Sequence, residues 1–185
     1  MEKFVLSVIG QDKPGILSCV STILFQYGCN IQDVSQTILQ TEFASIFIVH
    51  NPGGHVLEEI ARTLNQTLES MGLSAHLRPM ASHEIDSPAS ANHEPFVITT
   101  QGPDQPGTIS AVTTAMACLH CNVVHFRAIT THEEDQDTMI MIFEVDVPRA
   151  VDHRSLRKRM QEVGAGWGLD VSVQHREIFE TIHRI

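Results

Sequence analysis

Hydrophobic residues in the first half of the chain follow two different periods, which predict the order of its secondary structure elements. Residues 3–9 read Lys-Phe-Val-Leu-Ser-Val-Ile, which is typical of a strand. Apolar residues then recur at helical spacing, as Leu17, Val20 and Leu24 do, until Gly28 ends the pattern. The same two periods predict three further strands and a second helix. One strand begins at Asn30, the other two comprise residues 43–50 and 73–79, and the helix comprises residues 57–71.

The second half of the chain repeats this order. Its patterns predict strands at 96–101, 122–131, 138–147 and 169–174, and helices at 106–120 and 152–164. Each half therefore reads β-α-β-β-α-β, the ferredoxin-like arrangement. We predict an α+β protein of two ferredoxin-like (βαββαβ) domains, each an antiparallel sheet with both helices on one face.

A duplicated phrase supports the division into two domains. Gly10-Gln-Asp-Lys-Pro-Gly15 returns as Gly102-Pro-Asp-Gln-Pro-Gly107, and the two copies align without a gap from Gly10 to Thr37. A phrase that is repeated only once, at so long an offset, indicates two copies of a domain, because solenoids use shorter units repeated at least three times. Small and polar residues between the copies have the composition of a linker. The predicted domains are 1–80 and 95–185, joined by a linker at 81–94.

The duplicated phrase also predicts a candidate ligand site. Gly10 permits a turn with positive φ, Asp12 could cap the following helix, and Pro14 suits the first turn of that helix. Gly15 leaves the backbone bare, so the helix would present exposed amide hydrogens to a carboxylate. Asn30 begins the next strand, which we expect to lie beside this turn. Its carboxamide could hold both charged groups of an amino acid, and Asp12 could add a bond to the ammonium.

A purely structural interpretation explains the same residues. Asp-x-Pro-Gly is a good strand-to-helix turn in the absence of any ligand. Asn30 could equally be the residue that terminates the helix. Composition and spacing leave both interpretations open.

Charge and composition narrow the classes of function. The 185 residues carry a net charge of −10, which repels phosphate groups and argues against direct binding to nucleic acid or to anionic membranes. No segment has the roughly 20 apolar residues that cross a bilayer, and the N-terminus lacks the apolar block of a signal peptide. Four cysteines are few, and Cys29 and Cys121 occupy equivalent positions. These features predict a cytoplasmic protein in which the cysteines are small core side chains.

Four other groups of residues could carry chemistry, and each has a simpler interpretation. Cys118 and Cys121 have the spacing of half a metal site, but the other half is missing, so we predict no metal. His125 could lie near a ligand, although an exposed strand histidine explains it as well. Residues 135–138 faintly resemble a phosphatase motif, and a solvated acidic turn fits them better. A basic cluster on the last helix is either a solvated face or a docking patch for an acidic partner, and comprises Arg154, Arg157, Lys158 and Arg159.

The segments Gly10–Ile16 and Gly28–Ile31 resemble the ACT domain, a regulatory module with this fold that binds amino acids or other small metabolites. The resemblance covers both halves, although Thr108 and His120 depart from the first copy. It implies ligand-binding positions in the first strand-to-helix loop and at the start of the second strand. In this chain they are Gln11, Asp12, Pro14, Gly15, Ile16, Asn30 and Ile31, and Pro103, Asp104, Pro106, Gly107, Thr108, Asn122 and Val123.

The resemblance also implies a function. ACT domains commonly pair side by side with ligands between them, and a chain with two of them is similar to tandem ACT regulators of the glycine cleavage repressor type. It therefore implies an amino-acid-binding regulatory protein that contacts a partner protein and could form a homodimer. An alternative is an ACT pair that serves as an oligomerisation or adaptor module without a ligand. We expect no enzymatic activity and no cofactor, because the sequence shows no catalytic constellation.

Overall fold

The computed structural model of the chain describes residues 2–80, 92–132 and 137–177. They belong to two compact units, which divide between Ser87 and Pro88. This division falls inside the predicted linker, most of which, residues 81–91, lies outside the described residues.

The first unit has the predicted order of six elements. They are β1 (Glu2–Gln11), α1 (Ile16–Gln26), β2 (Asn30–Leu39), β3 (Glu42–Asn51), α2 (Leu57–Glu69) and β4 (Leu73–Pro79). The strands form one sheet in the order β2-β3-β1-β4, and every neighbouring pair is antiparallel. The long connections through the helices therefore place β1 and β3 at the centre of the sheet and leave β2 and β4 at its edges.

The second unit repeats this topology. Its elements are β5 (His93–Pro103), α3 (Thr108–Cys118), β6 (Asn122–Thr131), β7 (Thr138–Pro148), α4 (His153–Trp167) and β8 (Asp170–His175). The sheet order is β6-β7-β5-β8, again antiparallel throughout. The prediction of two ferredoxin-like α+β domains is confirmed. β5 starts at His93, inside the range predicted as linker.

Alternation along the central strands builds each core. Phe4, Leu6 and Val8 on β1 are fully buried and belong to one cluster with Ile60 and Leu64 of α2. The intervening residues of β1 lie on the opposite face of the sheet, as the two-residue period of a strand requires. Each buried side chain of this size contributes about 1.5–3 kcal/mol relative to exposure, so this face holds the helices on the sheet.

Two helix boundaries differ from the prediction. α1 begins at Ile16 rather than near Pro14, because Gly15 has φ +95° and is outside the helical region. α4 continues past Gly164 to Trp167 and ends at Gly168, which is left-handed. Gly164 faces β8 instead of ending the helix, since a Cβ there would lie 2.4 Å from Cγ2 of Val171. The close packing of α4 on β8 therefore needs this glycine, and the extra turn carries Trp167.

The edge strands β2 and β6 are the least covered elements of the two sheets. In β2 all residues except Ile31 are exposed, and in β6 all except Val123 are exposed. Each strand pairs with one neighbour, β3 or β7, and each has a register shift after its second residue. The exposed side chains include large apolar ones, among them Val34, Ile38 and Phe126.

Candidate functional site

The first corner, which we define as Gln11–Ile16, joins the end of β1 to the start of α1. Its backbone is held by the β2–β3 turn, because the N–H of Asp12 donates to the carbonyl of Thr41 at 2.8 Å. Gly15 is the N-cap of α1, and no side chain caps this helix. The expectation that Asp12 caps α1 was wrong, since the helix starts after Gly15. Pro14 accordingly precedes the helix.

Two charged side chains, Asp12 and Lys13, belong to the loop that leads into the open start of α1. Residues 11–15 are all exposed, and among the described residues none bonds to the carboxylate of Asp12. The ammonium of Lys13 donates to the carbonyl of Met71 at 3.0 Å, which uses one of its three protons. A Cβ built on Gly15 would meet no heavy atom within 4 Å, its chain neighbours apart. The first corner thus presents an anion, a cation and an uncapped helix N-terminus to solvent.

The second corner, Pro103–Thr108, has the same backbone with different side-chain bonds. The N–H of Asp104 donates to the carbonyl of Asp137 at 2.9 Å, and Gly107 repeats the φ of +95°. Here the carboxylate of Asp104 accepts from the hydroxyl of Thr130 at 3.1 Å. The buried hydroxyl of Thr108 donates to the carbonyl of Gln105 at 2.9 Å.

A glycine precedes each corner, Gly10 or Gly102, for the same packing reason. A Cβ at Gly10 would lie 2.4 Å from the carbonyl oxygen of Gly72, and one at Gly102 would lie 2.6 Å from that of Gly168. The turn after the second helix of each domain therefore touches the end of its first strand. This contact explains the repeated glycine without any ligand.

The asparagines lie far from the corner of their own domain. Along β3, Glu42 pairs with Gln11 and Leu39, whereas His50 pairs with Lys3 and Asn30. Eight residues of strand separate the two ends, roughly 26 Å. The expectation that the start of β2 lies beside the corner was wrong, because β2 starts at the opposite end of the sheet and only its last residues lie near the β2–β3 turn that contacts the corner.

The same register holds in the second domain. Asn122 pairs with Asp146 at one end of β7, and Pro103 pairs with Thr138 at the other. The predicted site residues therefore form two groups in each domain. One group is the corner, and the other is the start of the edge strand, which comprises Asn30 and Ile31 or Asn122 and Val123. Asn30 and Asn122 are both exposed, and both are strand residues rather than helix ends.

Two thiols and one imidazole have shifted pKa values. Burial raises the pKa of Cys29 and of Cys121, the residues before the asparagines, so that both stay protonated near neutral pH. The hydrogen bond that the protonated ring donates to the carboxylate of Asp137 raises the pKa of His132, and the charges of Asp137 and Asp104 add to this effect. The 2.8 Å contact between His132 Nδ1 and Asp137 Oδ1 lies next to the second corner.

The remaining candidate groups lie on the surface. Cys118 is exposed, all four thiols are free, and His125 is an exposed strand residue. Within the three described ranges, no three His, Cys, Asp or Glu side chains are grouped so that they could hold a metal ion. The basic cluster of α4 is exposed, and its members Lys158 and Arg159 lie 3.9 Å from Glu162. Asp135 lies outside the described residues.

Sequence reasoning missed Lys13, Thr130 and Trp167, which make the contacts that distinguish the two corners. Trp167 corresponds to Met71 once the longer β6–β7 turn is allowed for, so the gapless alignment of the repeats never reached it. The signal that could have drawn attention to it is composition, because the chain contains one tryptophan.

Two ACT domain family models match the chain, over residues 2–78 and 96–159. Together the two matches cover more than half of the chain, and each falls on one of the two units. A UPF0237 protein of Methanococcus maripaludis is 38% identical over 93 residues, which are 50% of this chain and 99% of the relative. The UPF0237 protein of Methanocaldococcus jannaschii is 38% identical over 84 residues, or 45% and 90% of the two chains.

Solved structures show the same fold over both domains. A protein of Galdieria sulphuraria has a TM-score of 0.77 at 23% identity, with 94% of this chain and 98% of that one covered. A protein assigned as a glycine cleavage system transcriptional repressor has a TM-score of 0.66 at 17% identity, with 94% and 96% covered. None of the four helices in the described ranges is long and apolar enough to span a membrane.

Proposed function

Because this chain belongs to the ACT domain family and carries two copies of the domain, we propose that it is an amino-acid-binding regulatory protein. A bound amino acid shifts the equilibrium between two arrangements of the protein, and a partner protein recognises one of them. The proposal contains no catalytic step and no cofactor. With four free thiols, the cytoplasm is the compartment that we propose.

The observation that carries the proposal is the carboxylate of Asp12, which has no bonding partner within the described part of the chain and belongs to the loop that leads to the uncapped start of α1. An amino acid has one anionic and one cationic group, held a few ångströms apart. The helix N-terminus and the ammonium of Lys13 suit the ligand's carboxylate, and Asp12 suits its ammonium. A ligand with both charges therefore matches the first corner better than a simple anion, which Asp12 would repel.

A complete site needs residues from two domain copies. Asn30 and the first corner lie at opposite ends of one sheet, so a small ligand cannot touch both within one domain. If domains of two separate copies of the chain pair antiparallel along their edge strands, the start of one edge strand lies near the corner of the domain in the other copy. We propose that Asn30 or Asn122 completes a ligand site in this way.

Glycine is the first amino acid to test. The structural likeness to a protein assigned as a glycine cleavage system transcriptional repressor extends over 94% of this chain, though at the level of fold alone. We propose that the regulated process is the transcription of genes for amino-acid metabolism, and that the chain acts on it through a protein partner. The net charge of −10 disfavours direct contact with DNA.

The second candidate function is a ligand-free oligomerisation or adaptor module. Its supporting observation is the exposure of large apolar side chains on β2 and β6. Such edge strands pair readily with other strands. In this case residues of the edge strands would matter and residues of the corners would not.

The first test is calorimetric titration with glycine and then with each proteinogenic L-amino acid. We expect Asp12→Ala to raise the dissociation constant roughly 10- to 100-fold, since a charge-assisted hydrogen bond contributes about 1.5–3 kcal/mol. Glu58→Ala, which removes an exposed carboxylate from α2, is the matched control and should bind like the wild type.

Asn30→Ala and Asn122→Ala separate the two candidate functions. The sensor predicts that at least one of them weakens binding. If no amino acid binds the wild type, and these variants still associate as the wild type does, the adaptor function is the better description.

A further inference from the structure

The two corners have the same backbone but different surroundings. Gly15 and Gly107 are both N-caps at φ +95°. A Cβ on Gly15 would have no heavy atom within 4 Å, whereas one on Gly107 would lie 2.9 Å from Cη2 and 3.5 Å from Cζ3 of Trp167. The indole ring therefore lies directly against the bare backbone of the second corner.

A hydrogen bond to its backbone and apolar packing restrict the position of Trp167. α4 runs three residues past Gly164, and the side-chain amide of Gln105 donates to the carbonyl of Trp167 at 3.2 Å. Trp167 is half-buried and packs against the apolar core of the second domain. Its ring thus lies between the second corner on one side and the core of the domain on the other.

The first domain makes the equivalent backbone contact without covering its corner. Met71 takes the place of Trp167, and its carbonyl accepts from Lys13 as that of Trp167 accepts from Gln105. Met71 nevertheless comes no closer than 4 Å to a Cβ on Gly15. A long polar side chain therefore holds the same turn in both domains, but only the second domain adds a ring over the glycine.

The polar groups of the second corner are also used internally. The hydroxyl of Thr130 binds the carboxylate of Asp104, where the first domain has Ile38 and Asp12 has no partner among the described residues. The amide of Gln105 is bound to Trp167, and no ammonium corresponds to that of Lys13. A zwitterion at the second corner would have to displace these contacts as well as the ring.

We infer that Trp167 closes the second corner, so that the chain binds one amino acid, at the first corner. Trp167 sets the stoichiometry of binding because it occupies the second corner, which corresponds in the repeat to the ligand site at the first corner. This inference rests on the proposed function for the ligand, although the closure itself can be tested without one.

The test without a ligand uses the fluorescence of Trp167, the one tryptophan of the chain. Gly107→Ala places a methyl group against the indole ring and should expose it, which shifts its emission to the red and increases quenching by acrylamide. Gly15→Ala imposes the same backbone conformation on alanine with no ring nearby, and should leave the emission unchanged. Equal emission from both variants and the wild type would overturn the closure.

If Gly107→Ala does not fold, the wild type still decides the point. Acrylamide should quench Trp167 at least several-fold more slowly than it quenches N-acetyltryptophanamide. Quenching at the rate of the free indole would show that the ring does not lie against the corner.

The test with a ligand counts binding sites by calorimetry, with glycine and each proteinogenic L-amino acid as probes. We expect one site per wild-type chain, with the emission of Trp167 unchanged at saturation. Trp167→Ala combined with Gln105→Lys and Thr130→Ile, which gives the second corner the polar residues of the first, should give two sites per chain, and Trp167→Phe in the same background should restore one. Two sites in the wild type, or one site in the triple variant, would contradict the inference. If no probe binds either protein, the proposed ligand fails and the fluorescence decides the closure.

Discussion

At the scale of single residues, three side-chain replacements, one inside the duplicated phrase and two outside it, decide how the two corners differ. Lys13 corresponds to Gln105, Ile38 to Thr130 and Met71 to Trp167, and each replacement adds an internal contact to the second corner or removes a charge from it. The backbone is the same in both corners because the glycines set it. Duplication therefore preserved the turn, while three substitutions altered what the turn can bind.

His132 provides a pH-dependent test of the second corner. We predict that its pKa lies above the ordinary value of 6.5, because Asp137 accepts a hydrogen bond from the protonated ring. The stabilisation from this contact is present below the pKa of the unfolded chain and is lost as the pH rises through the raised pKa of the folded state. NMR titration of the His132 ring should show the raised value.

The matching variant is Asp137→Asn, which should lower the pKa of His132 toward its ordinary value. An unaltered titration of His132 in Asp137→Asn would rule out the contact.

At the scale of elements, the outer edges of β4 and β8, the strands that follow the second helix of each domain, make different contacts with that helix. In the first domain Asn65 on α2 binds the backbone of β4 twice, since its carboxamide accepts from the N–H of Ala75 at 2.9 Å and donates to its carbonyl at 3.0 Å. Gln161 occupies the equivalent position on α4, where a groove of about 320 Å³ lies along β8. Asn65 therefore covers the edge of β4 at this point. At the equivalent point of the second domain, the edge of β8 lies open to the groove.

We predict that Asn65→Ala destabilises the first domain by about 1–3 kcal/mol, because it leaves both polar groups of Ala75 without their partner. Urea unfolding would measure the change, and hydrogen exchange at the N–H of Ala75 should become faster. Gln161→Ala is the matched control, and its effect should stay within about 0.5 kcal/mol. Equal effects of the two substitutions would show that the two hydrogen bonds between Asn65 and the backbone of Ala75 are not what stabilises β4.

At the scale of the whole molecule, the chain exposes apolar strand edges in both of its domains. Val34 on β2 is 47% exposed and Phe126 on β6 is 44% exposed. Natural proteins usually protect such edges with charges, with bulges or with another strand. Both strands have a bulge near their start and one charged residue beyond it, Asp33 or Arg127, but within the described ranges no strand pairs with their outer edge. A second copy of the chain is the partner that we expect to cover them.

We predict that the wild type sediments as a dimer, at twice the 20.5 kDa of one chain. Val34→Lys combined with Ile38→Lys places two charges on the edge strand and should shift the protein to the monomer. Gln66→Lys, on the exposed surface of α2, controls for added charge and should remain dimeric. Analytical ultracentrifugation distinguishes these outcomes, and a monomeric wild type would contradict the prediction.

The sequence by itself determined the number of domains and the order of their elements. These properties are local, because the period of apolar residues reports which face of a helix or strand is buried. The composition of the corners was predictable for the same reason. Glycine, proline and aspartate impose local preferences on the backbone at their own positions. The prediction from Pro14 nevertheless placed the start of α1 two residues before its actual start at Ile16.

Only the tertiary structure decided which residues meet. Asn30 follows the first corner closely in the chain but lies at the far end of the sheet, because β3 inserts between β1 and β2. Trp167 lies sixty residues after Gly107 and yet covers it. Such contacts depend on strand order and on the length of α4, which result from packing over the whole domain, and no periodic pattern near either residue encodes them.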